Sequence, residues 1–148
     1  MAAINREVVQ RFVDAFNSGD MDAAAACFAE DACNHGRPVG RAGVCRVLKD
    51  MQATFPDVQL NMVDVLADGD WIVERGTFSG THTGMGKLPV NGGLLVGVQP
   101  TNKSFRVQHI HMYRIGNGKI ADHYANRDDV GMMQQLGLLP ASPPMPKA

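Results

Sequence analysis

The 148-residue chain has few of the features that mark cofactor, nucleic-acid or membrane proteins. It holds three cysteines, Cys27, Cys33 and Cys45, and no C-x-x-C pair. A disulfide framework or a four-cysteine zinc site is therefore excluded, and reduced thiols are expected. Lys and Arg nowhere cluster and the formal net charge is −1, which argues against electrostatic adhesion to nucleic acid or an acidic membrane. No apolar run approaches the roughly 20 residues that cross a bilayer. The opening "MAAINREVVQRF" carries charges where a signal peptide needs an apolar segment. A cytoplasmic protein with neither nucleic-acid nor membrane partners is expected. There is no G-x-S-x-G, no phosphate-binding glycine loop and no dinucleotide fingerprint; "GTHTGMG" has the wrong spacing and no strand-to-helix context. No cofactor is expected.

What is present is an ordinary globular composition, 45% hydrophobic and 20% charged. A chain this long buries roughly 70% of its unfolded surface, enough for a core without staples. The expected organisation is one domain over residues 1–140 and a Pro-rich tail over 141–148. Val8, Val9, Phe12, Val13 and Phe16 follow helical spacing, so residues 4–17 read as an amphipathic helix. "NSGD" ends it, with Gly19 suited to a left-handed residue and Asp20 to capping a short helix over "MDAAAACFA". "EDACNHGRPVG" reads as a loop. A third helix places Val44, Val47, Leu48, Met51 and Phe55 on one stripe and stops before Pro56.

After Pro56 the period changes to two. A hairpin turns at "ADGD", residues 84–100 read as a long loop or flap with a short strand at 94–98, and two strands flank the turn "GNG". A short helix over "DVGMMQQLG" closes the pattern. Helices first and antiparallel strands later predict an α+β fold: a curved, mostly antiparallel sheet wrapped over three helices, with an apolar cavity between them.

Candidate chemistry concentrates in the last two strands. In "SFRVQHIHMYR", Phe105, Val107, His109, His111 and Tyr113 share one face, which reads as a pocket wall. Histidine titrates near neutrality and suits acid/base work. The last strand offers Lys119, His123, Ala125 and Arg127 on one face and Asp122, Tyr124, Asn126 and Asp128 on the other. The second face looks more functional, although a bulge would exchange the two partway along. Asp128 or Asp129 reads as a helix cap. Asn34 and His35, in the loop before the third helix, are candidates for holding a substrate carbonyl, and His82 for a contact at the cavity rim. His109 and His111 have a spacing known in zinc sites, but no motif sets up a third ligand, and no metal is expected.

The stretches "VVQRFVDAFNSGD", "FPD", "GTHTG", "PTNKSF" and above all "HIHMYRIGNGKIADHYANRDDVGMMQQLGL" resemble the SnoaL-like polyketide cyclases. These belong to the nuclear-transport-factor-two-like superfamily of α+β cones. The resemblance implies a cavity that folds a polycarbonyl substrate and closes a ring by intramolecular aldol addition, without metal or cofactor. It matches Asn34 to a loop asparagine and His111 to a cavity histidine. The acidic residue of the ring-closing members falls on Ala125, which cannot exchange a proton. Asp122, on a bulged strand, or Asp128 would then have to serve, or His111 or His123 with Tyr113 donating to an oxyanion. The leading expectation is a cyclase, or a related lyase or isomerase, acting on an apolar carbonyl-bearing metabolite. In it His111, Asp122 and Tyr113 carry the chemistry, and Asn34, His35, His82, His109, Tyr124 and Asn126 bind substrate. The alternative is a non-catalytic binding or auxiliary protein, for example one associated with hydroxylation. By analogy with the superfamily, a homodimer is expected.

Overall fold

The computed structural model describes residues 1–89 and 93–147. Helix α1 (Ala2–Asn17) buries Val8, Val9, Phe12, Val13 and Phe16, the stripe expected from their spacing. Gly19 stops the helix in the left-handed region, φ +83°, with its N–H donating to the Phe16 carbonyl. The Asp20 carboxylate accepts from the Ala23 N–H at 2.9 Å and starts α2 (Met21–Ala26). Six residues are too few for a helix that stands alone. The cap, worth about 1 kcal/mol, and the burial of Met21, Ala24 and Ala25 hold it.

The chain then departs from the sequence reading. The expected second helix ends early, and the expected loop contains strand β1 (Phe28–Asn34) and the two-residue β2 (Arg37–Pro38). Along β1 only Phe28 and Ala32 are buried, a spacing of four that imitates a helix. The two residues share one face of the strand, and the pairing with β6 shifts register between Phe28 and Cys33. Helix α3 (Gly40–Thr54) begins where the expected loop ends and turns Leu48, Met51 and Thr54 inward.

Strands β3 (Gln59–Asp68), β4 (Trp71–Thr81), β5 (Ser104–Gly116) and β6 (Lys119–Arg127) complete a six-stranded sheet in the order β2-β1-β6-β5-β4-β3. All neighbours are antiparallel except β1 and β6. Helix α4 (Asp129–Gln135) is capped by Asp128, whose carboxylate accepts from the Gly131 N–H at 2.8 Å. Between β4 and β5, the expected strand at 94–98 is reduced to one bridge, Gly86 to Val96; residues 90–92 of that segment lie outside the described residues. Asp50 of α3 anchors it, its carboxylate accepting from the Lys87 N–H at 3.0 Å and the Leu88 N–H at 3.1 Å.

Candidate active site

Between α1, α3 and the concave face of the sheet lies a cavity of about 970 Å³. Its apolar lining includes Phe12, Phe16, Phe28, Leu48, Met51 and Phe78; Leu88 and Pro89 of the anchored segment also border it. Exposed Asn34, His35 and Arg37 stand at its mouth. The polar wall is formed by His111, His123, Arg127 and Asp129, with Ala125 among them.

Sheet register explains that wall. Strict alternation buries every second residue of β5 from Phe105 to Ile115. Cross-strand partners share a face, so three rows point inward: Ile72–Tyr113–His123, Glu74–His111–Ala125 and Gly76–His109–Arg127. On β6 the alternation is reset by an extra residue at Ala121, where the pairing jumps from Ile115–Ile120 to Arg114–Asp122. Ile120 and His123 therefore face the same side.

The inward rows bring five polar side chains together. Glu74, fully buried, places Oε1 2.9 Å and Oε2 3.1 Å from His109 Nε2, and Oε1 3.6 Å from His111 Nδ1. His111 Nδ1 also lies 2.9 Å from Tyr113 Oη and 3.3 Å from His123 Nε2. The His109 and His111 rings are 4.3 Å apart, and Tyr113 stacks on His123 at 5.0 Å. His111 Nε2 is buried and has no protein partner. Burial, reinforced by the charges of neighbouring His123, His109, Arg127 and His35, holds the His111 pKa well below its ordinary value. Burial, with Arg127 and His35 adding to it, lowers His123 to about 3. Burial, with a smaller contribution from the Glu74 charge, raises the Tyr113 phenol well above its usual range. At pH 7 both imidazoles are thus uncharged and the phenol keeps its proton. The Arg127 guanidinium lies 5.4 Å from the Phe78 ring centroid and 3.5 Å from Asp129 Oδ1. Burial lowers its pKa and Asp129 opposes that shift.

Of the residues singled out from sequence, His111 lines the cavity, Tyr113 and His109 stand directly behind it, and Asn34 and His35 stand at the mouth. His35 has φ +53°, and its Nε2 accepts from the Ala125 N–H at 3.2 Å. His82 does not line the cavity. It is fully buried at the base of the 84–100 segment, Nδ1 3.3 Å from Thr101 Oγ1 and its ring against Phe55. Asp122, Tyr124 and Asn126 are not in the cavity either, because the bulge at Ala121 turns that face outward. Asp122 ties β6 to the β1–β2 turn instead: its carboxylate accepts from the Gly36 N–H at 3.4 Å and the Tyr124 hydroxyl at 3.1 Å. Of the two candidate caps, Asp128 caps α4 and Asp129 faces the cavity.

Glu74, Arg127 and Asp129 were not selected from sequence. A signal for Glu74 exists, since Ile72 and Phe78 fix the inward parity of β4 and Glu74 has the same parity.

A family model described as SnoaL-like polyketide cyclase matches residues 6–136. The chain is 30% identical over 131 residues to nogalonic acid methyl ester cyclase of Streptomyces nogalater, covering 84% of this chain and 91% of that protein. It is 29% identical over 140 residues to aklanonic acid methyl ester cyclase DauD of Streptomyces sp. (strain C5), covering 88% and 80% respectively. Among solved structures, TsrD of Streptomyces laurentii superposes with a TM-score of 0.78 at 27% identity, covering 94% of this chain and 98% of that one. With the family model matched over most of its length and the fold in agreement, the chain belongs to the SnoaL-like polyketide cyclase family.

Proposed function

We propose that the protein closes a ring in a polycarbonyl, polyketide-like substrate by intramolecular aldol addition, with His111 as the acid/base residue. The observation that carries this reading is an uncharged His111 at the wall of a largely apolar cavity, its Nε2 buried and unpartnered. A basic Nε2 requires the ring proton on Nδ1, where Tyr113 Oη accepts it at 2.9 Å. His111 Nε2 removes a proton alpha to one carbonyl, and the enolate carbon attacks a second carbonyl to form the new C–C bond. The imidazolium so formed is balanced by Glu74 Oε1, 3.6 Å from Nδ1, and it returns its proton to the alkoxide. Every atom of the substrate is kept, so product and substrate have the same mass. Arg127 on the wall and Asn34 at the mouth supply hydrogen-bond donors for the oxygens that gain charge.

Asp122, Tyr124 and His82 have structural roles in this mechanism, and Asn126 lies on the face of β6 away from the cavity. Three unpaired cysteines, Cys27, Cys33 and Cys45, favour a reducing, cytoplasmic setting. The reading also includes a homodimer. Its support is the outer sheet face, where Ile110 is 51% and Met112 38% exposed, next to Trp71 and Tyr124.

The test is turnover of nogalonic acid methyl ester and aklanonic acid methyl ester, the compounds in the relatives' names, followed by chromatography and mass spectrometry. An isomeric cyclised product is expected, with kcat reduced by about 10²- to 10⁴-fold in His111→Gln. Full activity in that variant, with the same product, would sink the assignment of His111.

A further inference from the structure

Glu74 has no solvent exposure, and among the described residues its carboxylate reaches two histidines and no lysine or arginine within ion-pair distance. Buried carboxylates are ordinarily paired with a cation or bound to a metal. The sequence alone offers His109 and His111 as a close pair; the third donor comes from another strand, through the register that sets Glu74 opposite His111.

We propose that Glu74, His109 and His111 form a binding site for one divalent first-row transition-metal ion of the zinc, cobalt or ferrous-iron class. Two imidazoles and one carboxylate are the donors of open sites that keep positions for water or substrate. Magnesium and calcium, which take oxygen ligands, fit this set poorly. Ligand atoms bound tetrahedrally at about 2.0–2.1 Å from zinc stand about 3.3 Å from one another. Glu74 Oε1 lies 2.9 Å from His109 Nε2 and 3.6 Å from His111 Nδ1, bracketing that separation. The three groups can offer donor atoms that all lie within 4.8 Å of each other. Tyr113 Oη and His123 Nε2, at 2.9 and 3.3 Å from His111 Nδ1, are close enough for one of them to complete the shell. All three proposed ligands are buried.

Ligation through Nδ1 has a chemical consequence. It leaves the ring proton on Nε2, so a loaded site presents the cavity with a donor at His111 in place of a base. The metal proposal does not rest on the cyclase reading, because it is tested by binding.

The test uses the full chain, stripped with a chelator, desalted and titrated with Co²⁺ while its visible absorption is followed, with Zn²⁺ as competitor. One Co²⁺ per chain is expected, with the spectrum of a low-symmetry nitrogen and oxygen site, and Zn²⁺ should displace it and raise Tm. Glu74→Gln and His109→Gln, each checked for a native circular-dichroism spectrum, should weaken binding by more than about 100-fold. That exceeds the loss typical of removing an outer-shell partner. Absence of a stoichiometric Co²⁺ site in the parent overturns the proposal. So does unchanged affinity in a folded Glu74→Gln or His109→Gln variant, which would place the ion elsewhere. If one variant does not fold, the other decides.

Discussion

His111 and His123 share a 3.3 Å contact in which both rings are uncharged at neutral pH. Burial lowers both pKa values, and this fixes the sign of the acid response. From about pH 6.5 down to about 3, the unfolded chain binds a proton at His123 that the folded chain refuses, and the lowered pKa of His111 acts in the same direction. Stability from the pair is complete above pH 6.5 and declines as pH falls through that window. The slope is up to ~1.4 kcal/mol per pH unit for each histidine kept neutral. Urea denaturation between pH 7 and 4.5 measures it. In His123→Gln the decline should be shallower by about one proton; an unchanged pH slope would show that His123 is not held neutral.

The elements that carry the site are tied by close backbone approaches. Gly76 faces the Asn61 carbonyl so closely that any Cβ would collide with it, and Gly84 faces the Ala53 carbonyl at the end of α3 in the same way. Past Gly84 the chain is caught by the Asp50 carboxylate, which positions Leu88 and Pro89 beside the cavity. Asp50→Ala removes the acceptor for two N–H groups. Amide exchange at Lys87 and Leu88 should accelerate, and KM should rise several-fold with a smaller change in kcat. Unchanged exchange would mean that the segment is held by other contacts.

The sequence made some of these elements plain and concealed others, for physical reasons. The alternation of β5 showed the inward set of His109, His111 and Tyr113 because nothing interrupts that strand. β1 was hidden because its two buried residues, Phe28 and Ala32, stand four apart, a spacing that a helix and one face of a strand share. The correct face of β6 was hidden by one inserted residue whose position depends on pairing with β5. Glu74 was overlooked because a charged residue on an inward face contradicts the expectation that core positions are apolar; its role needs partners from another strand, 35 and 37 residues away in sequence.

At the scale of the whole molecule, the sheet has one face filled by helices and cavity, while the other presents Ile110 and Met112 to solvent. A stable association needs about 800 Å² from each partner, and an apolar centre on the outer sheet face suits a symmetric one. Light scattering coupled to size exclusion should give the mass of a dimer for the parent. Ile110→Lys combined with Met112→Lys, far from the cavity wall, should give a monomer. A monomeric parent would remove the homodimer from the proposal.

The extra residue at Ala121 has a reach beyond its own turn. Strand β6 carries two alternating inventories: a basic one of His123, Ala125 and Arg127, and an acidic and amide one of Asp122, Tyr124 and Asn126. The parity of one insertion selects which of them faces the cavity. Deleting one residue there would exchange the two sets in a single step, with every codon after it intact. For this architecture a one-residue length change is a route to new chemistry as direct as any substitution.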